Sequence, residues 1–456
     1  MKAIENENIE EVKSILKNSN EDKKILNLNI KDIDGDYPLL KATSKNNIEI
    51  VKLLIEYAIQ HQIILELNKK NNIGSSPLLL TCKKNNIKLV KLLIDYANNN
   101  DIILELNGKC ERKNYPFLWA CYNNNIEIVK LLIEYANKNN IILKLNEKNK
   151  SGNYALLCVC DKNNVEIVKL LFEYAYKNNI ILELNEKDLY PLLLACNNNN
   201  IEMIKLLIDY SNKYNIILEM NKNYENEYYP LLLALNNNNI EVVKIFINYA
   251  HRNNIILDLN NKNENGNGLL LWACKNNDIE MVKLLIDYAN KNNIMMRLNE
   301  INEDGYYPLL YANFYNNSEM VKLFINYANN SNIIMEVNKK DNSGFYPLFW
   351  ACDKNNIEMV KILIFISIIN NIILEYDESY YENNPKIKSE IIKILKKYKK
   401  ETNILLPSLV IVINNFTAQE YNQMDIKKDE ILVVTNWNYK KLGWVYGHRK
   451  DINMNI

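Results

Sequence analysis

The chain has 456 residues, with Lys+Arg and Asp+Glu both at 55 and a formal net charge of zero. That balance excludes a bulk electrostatic pull toward nucleic acid or anionic lipid. Its opening, MKAIENENIEEVK, lacks a secretory layout, and its longest apolar run, residues 362–369, is broken by Ser367 and too short to span a membrane.

Residues 9–16 (IEEVKSIL) are the first amphipathic stretch, and the chain writes them again 39 residues on. There the motif is NIEIVKLLIEYA, starting at Asn47. It returns at Asn86, Asn125, Asn164, Asn200, Asn239, Asp278, Asn317 and Asn356, every step being 39 residues except one of 36 between Asn164 and Asn200. A fixed period of this size is the signature of a solenoid, in which each unit buries its apolar face only against its neighbours.

Each unit reads as a turn, a short apolar helix, a polar break, a long helix and a return loop. In residues 344–374 the turn carries Gly344, and Pro347 suits the first helical turn, where its missing N–H is no loss. Leu348, Phe349, Ala351 and Cys352 make the short helix apolar nearly all round. Lys354, Asn355 and Asn356 end it, since Asn tolerates the left-handed conformation of a helix terminus. The next helix starts near Ile357. In its sister copy Ile48, Val51, Leu54 and Ile55 fall at helical spacing, with Glu49, Lys52 and Glu56 facing water. The short unit has lost its three residues from the turn, a change that loops tolerate and packed helices do not. Asn, Ile, Lys and Tyr are heavily used, as codon bias in an AT-rich genome would produce; the fixed positions of Asn argue against an aggregation-prone tract.

The pattern G-x-x-P-L-x-x-A…N-x-E-x-V-K-L-L-I resembles the ankyrin repeat over about residues 1–400. The resemblance implies an all-α ankyrin-repeat solenoid: a capping partial repeat over 1–36, nine repeats over 37–376, and a capping helix over 377–403 that includes SEIIKILKKYKK. Two departures stand out. The family's T-P-L-H start is replaced by Tyr-Pro-Leu-Leu, as at Tyr190 to Leu193, so apolar packing is expected to replace the hydrogen bonds of Thr and His. The extra length falls in YANKNNIILELN, so a longer outer helix or return loop is expected.

Beyond Pro407 the composition turns to β-branched runs separated by turn residues. Residues 408–456 resemble part of an SH3 domain, with 412–416, 424–430 and Gly443-Trp444 standing for its first strand, its acidic segment and its Trp-bearing strand. The closing Pro and Tyr segment is absent, so the expectation is an incomplete all-β SH3-like barrel. The resemblance gives Phe416 and Trp444 the role of apolar walls for a proline-rich peptide, and Glu420 and Asp425 that of carboxylates meeting a basic ligand residue.

Catalytic signals are scarce. His61, His251 and His448 stand apart, and no phosphate-binding glycine loop occurs among ten glycines. Neither a cofactor nor a metal site is expected. Six of eight cysteines, Cys82, Cys121, Cys160, Cys196, Cys274 and Cys352, share one register and read as small buried residues, because stacked helices lie too far apart for disulfides. Reduced thiols agree with a cytoplasmic location.

Three residues after the proline position the occupants vary: Lys41, Leu80, Trp119, Cys158, Leu194, Leu233, Trp272, Tyr311 and Trp350, which include three of the five tryptophans. In ankyrin repeats this position faces the concave surface. Trp119, Trp272, Tyr311 and Trp350, with Tyr122, Phe314 and Tyr315 just after, are the candidate protein-binding residues, because Trp and Tyr dominate interface hot spots. Filling the space under the longer loops is the competing explanation. The tyrosines before each proline, such as Tyr37 and Tyr115, are too regular for a specific site and read as turn packing. The expected function is that of a non-catalytic monomeric adaptor for other proteins, proline-rich segments among them; the alternative is a structural spacer.

Overall fold

The computed structural model describes residues 1–22, 24–185, 189–223 and 228–402, together with the backbone of three short strands further on. It divides into two compact units, Met1–Glu219 and Met220–Ile456.

In the first unit α1 (Lys2–Glu5) and α2 (Ile9–Glu21) precede five pairs of one short and one long helix. These are α3 (Pro38–Lys45) with α4 (Ile48–Gln60), α5 (Pro77–Lys83) with α6 (Ile87–Asn99), α7 (Pro116–Tyr122) with α8 (Ile126–Lys138), α9 (Ala155–Asp161) with α10 (Val165–Lys177), and α11 (Pro191–Asn197) with α12 (Ile201–Lys213). The second unit holds α13 (Pro230–Asn236) with α14 (Ile240–Arg252), α15 (Leu269–Lys275) with α16 (Ile279–Lys291), α17 (Pro308–Phe314) with α18 (Ser318–Ser331), and α19 (Pro347–Asp353) with α20 (Ile357–Ile369). Then come α21 (Glu378–Asn383), in a stretch without periodicity, and α22 (Ser389–Thr402). Helix lengths are unchanged across the short step: α10 and α12 each have 13 residues and α9 and α11 each have 7.

Local chemistry fixes these boundaries. Most short helices start with Pro in the first turn and stop at a left-handed Asn, such as Asn85 (φ 58°) and Asn124 (φ 55°). The long helices are capped by the Asn before them: Asn125 Oδ1 accepts from Ile128 N at 3.0 Å. They end at a second left-handed Asn, such as Asn140 or Asn179. The core stripe of α4 is Ile50, Val51, Leu54, Tyr57 and Ala58, all buried. Ile48 and Ile55, expected in it, are half-buried at its margins, because the face that meets both neighbouring pairs is centred on Leu54.

Repeats within a unit are tied by side chains that reach the next copy. Asn125 Nδ2 donates to Asn85 Oδ1 at 2.6 Å, and Asn164 to Asn124 at 2.6 Å. In the return segment Leu104 and Leu106 are buried while Ile103 is 60% exposed, a strand-like alternation with no backbone ladder. Asn107 bridges the gap instead, donating to Ile142 O at 2.8 Å and accepting from Lys144 N at 3.1 Å. Tyr135 OH donates to Ile102 O at 3.0 Å and accepts from Leu104 N at 3.1 Å. The tyrosine before proline is buried as expected and is also a tie: Tyr115 OH donates to Lys144 O at 2.9 Å. These bonds add polar ties between repeats that the expectation of purely apolar compensation did not include. Gly305 has φ +83°, and a Cβ there would lie 2.7 Å from Asp341 Cα in the following turn, so only glycine fits.

After α22, β1 (Leu409–Ile411) pairs antiparallel with β2 (Ile431–Asn436), which pairs antiparallel with β3 (Tyr446–Arg449). Three strands in one sheet do not make a barrel, so the expected SH3-like barrel is not supported. Residues 412–416, including Phe416, and Glu420, Asp425, Gly443 and Trp444 lie outside the described residues.

Candidate protein-binding face

The short helices carry the variable register, and its occupants divide into local groups. In the first unit Trp119 on α7 meets Tyr122 edge-to-face, with ring centroids 5.4 Å apart. Lys83, at the end of α5, lies 5.8 Å over the Trp119 ring, and Lys162, just after α9, lies 5.7 Å over Tyr122. Tyr122 is 46% exposed.

In the second unit Trp272 has the Lys275 ammonium 4.5 Å above its ring. Tyr311, Phe314, Tyr315 and Trp350 come together in one cluster. Phe314 sits 4.8 Å from Trp350 and 4.9 Å from Tyr315, and Tyr311 stacks on Tyr315 at 6.3 Å. Tyr311 is buried, and burial, followed by the charge interaction with Tyr306, pushes its phenol up to about 12. Sequence reasoning missed four members of the cluster. Tyr306 stacks on Tyr311 at 4.6 Å, Phe345 and Phe349 lie 5.1 and 5.3 Å from Trp350, and Tyr380 lies 6.1 Å from Phe349. A signal existed: Tyr306 and Phe345 stand two before the proline, where the first four units have Asp36, Ser75, Asn114 and Asn153.

Lys41 occupies the same register but is buried, with ion pairs to Asp36 at 3.1 Å and Asp32 at 3.4 Å. Burial disfavours its charge, yet the two carboxylates outweigh that and raise its pKa. It is a structural ion cluster.

The tryptophans are not demanded by the space they fill. Units of the same length carry Leu80 and Leu233 at this position, both buried. The indole N–H groups of Trp119, Trp272 and Trp350 are buried without a hydrogen-bond partner, which costs about 1–3 kcal/mol for such a donor. All three side chains remain half-buried, so part of each is available to a partner.

The register cysteines Cys82, Cys121, Cys160, Cys196, Cys274 and Cys352 are buried and none is in a disulfide. Burial raises their thiol pKa values, that of Cys352 to about 12, which leaves them unreactive. Among the described residues, no group of three or more His, Cys, Asp or Glu side chains is placed to hold a metal, and no helix is long and apolar enough to cross a membrane.

Stacked helix pairs joined by turns, with variable aromatic residues on the short helices, define a repeat protein built to present a surface. The chain belongs to the ankyrin repeat family: the model for ankyrin repeats (3 copies) matches residues 1–103, 58–142, 97–181, 140–218, 175–255, 192–296 and 290–372. The crystal structure of the ankyrin repeat domain of Bcl-3, a member of the IkappaB protein family, is similar over 55% of this chain and 99% of that one, with 22% identity and a TM-score of 0.38. No curated protein matches the chain.

Proposed function

We propose that the protein is a non-catalytic interaction scaffold that binds other proteins through the aromatic groups on its short helices. The observation that carries this reading is the use of Trp, with an unpartnered indole N–H, at positions where Leu80 and Leu233 fill the same space. A spacer needs only packing and gains nothing from that exchange. Large aromatic rings in partly covered positions are the usual anchors of protein interfaces. Trp119 and Tyr122 form one contact group, Tyr311, Phe314, Tyr315 and Trp350 another, and Trp272 a third. Cysteines outside any disulfide agree with a reducing, cytoplasmic setting, and the scaffold acts as a monomer. Proline-rich peptide binding by residues 408–456 rests on the resemblance alone; a proline-rich peptide held by the full chain and released by Trp444→Ala would support it.

The direct test replaces Tyr315, which is 39% exposed, with a photo-crosslinking amino acid in the source cell. Glu134 on the outer helix α8 serves as the control position. Protein adducts at 315 and none at 134 are expected. Equal yields at both positions, or none at either, would favour the spacer.

A further inference from the structure

The α7 group differs from the second-unit cluster in its electrostatics. Lys83 and Lys162, both exposed, flank the Trp119–Tyr122 pair, with Lys84 next in the chain after α5, and the turns leading into α7 and α9 carry Arg112, Lys113 and Lys150, also exposed. The two turns are held together by the bond from Lys150 N to Arg112 O at 3.0 Å. The carboxylates on the same elements are Glu111, Glu147 and Asp161; Asp161 pairs with Lys162 at 2.9 Å, and Glu147 pairs with Lys109 and feels the charge of Lys113. The chain as a whole is neutral, so this excess is local. Beside Trp350, by contrast, the Lys354 ammonium 5.6 Å from the ring is itself paired with Asp353 at 3.5 Å.

We infer that the α7 face of the first unit docks an acidic segment of another protein that carries an aromatic or large aliphatic anchor. This rests on the protein-binding reading above and gives it a partner chemistry. The anchor packs against the exposed edge of Tyr122 and the half-buried Trp119, and the partner's carboxylates meet the lysines that flank the rings. Lys83 and Lys162 come from the repeats before and after α7, so the site spans three repeats and selects an extended ligand. A nucleic acid strand is a poorer fit. The two rings meet edge-to-face at 86°, whereas strand binding uses ring faces open to successive bases.

The test measures binding of the full chain to a fluorescent peptide with Asp and Glu around a central Trp-Leu pair. Comparison probes are the same peptide with Asn and Gln in place of the acids, and oligo(dT). The acidic peptide should bind most tightly and weaken with added salt. Its affinity should fall about tenfold or more with Lys83→Glu/Lys84→Glu/Lys162→Glu, and likewise with Trp119→Ala. Phe314→Ala/Trp350→Ala should leave it unchanged. The reversed lysines are exposed, so those variants fold, which a thermal melt verifies. No binding of the acidic peptide, equal binding of its neutral form, indifference to the lysine reversals, or tighter binding of oligo(dT) would overturn the inference. Crosslinks at Tyr315 alongside any of these failures would leave the protein-binding reading standing.

Discussion

Asparagine in this chain does work that composition hides. Asn125 caps α8 through its oxygen and ties to Asn85 through its nitrogen. Asn124, one residue earlier, turns the chain with φ 55°. Replacing Asn125 with Ala removes both the cap and the tie and should cost about 1–2 kcal/mol in urea unfolding. Asn125→Asp keeps the cap and loses only the tie, so its loss should be smaller. The chain contains its own comparison in Asp278, which caps Met281 N at 2.9 Å but has no amide to donate. Asp278→Asn should therefore stabilise, by about 0.5 kcal/mol. No loss in Asn125→Asp would show that the tie contributes nothing, and equal losses for the two variants would show the same of the cap. The left-handed Asn after the short helices was legible in the sequence, because it depends on one residue's own backbone. The ties were not: their partners lie about one repeat away, and only the stacked structure brings them together. Codon bias alone is thus an incomplete account of the Asn residues.

At the scale of the element, the helix pairs were legible because a 3.6-residue apolar stripe, a proline start and an Asn stop agree on one answer. The return segment was not. Its burial alternates as in a strand, yet its polar groups pair with Asn and Tyr side chains of adjacent repeats instead of a second strand. Tyr135→Phe tests this arrangement. It removes the acceptor of Leu104 N and the donor to Ile102 O while leaving the ring in place. The expected cost is about 1–3 kcal/mol, for a buried donor left without a partner, with faster amide exchange at Leu104. An unchanged urea midpoint would show that the ring alone holds the segment. The aromatic cluster was half legible, since one register yielded Tyr311 and Trp350 and the positions just after it Phe314 and Tyr315. Tyr306, Phe345, Phe349 and Tyr380 come from the turn, the short helix and α21, and only packing joins them. The barrel expected after Pro407 rested on likeness to a domain rather than on a repeated pattern, and the one sheet described there does not support it.

At the scale of the whole molecule, burial of many tyrosines and cysteines sets a pH dependence. Tyr37, Tyr115, Tyr190, Tyr229 and Tyr307 have pKa values raised by burial, as do the register cysteines. A raised folded-state pKa means that the unfolded chain releases these protons first. The stabilisation is complete below the unfolded values, about 8.5 for Cys and about 10 for Tyr, and is lost as pH rises above them. The urea midpoint should therefore decline above about pH 8.5 and fall more steeply past about pH 10. A midpoint that stays flat to pH 11 would contradict the burial described here. The central claim is that the aromatic groups of the short helices, and not the scaffold alone, hold partners. Its most direct test is capture from source-cell lysate on four immobilised chains: wild type, Trp119→Ala/Tyr122→Ala, Phe314→Ala/Trp350→Ala, and the outer-helix control Lys130→Ala. The account predicts proteins that are held by the wild type and the control and lost from at least one aromatic variant, with all four chains melting as folded proteins. The same set of proteins on all four, or none on any, would contradict it.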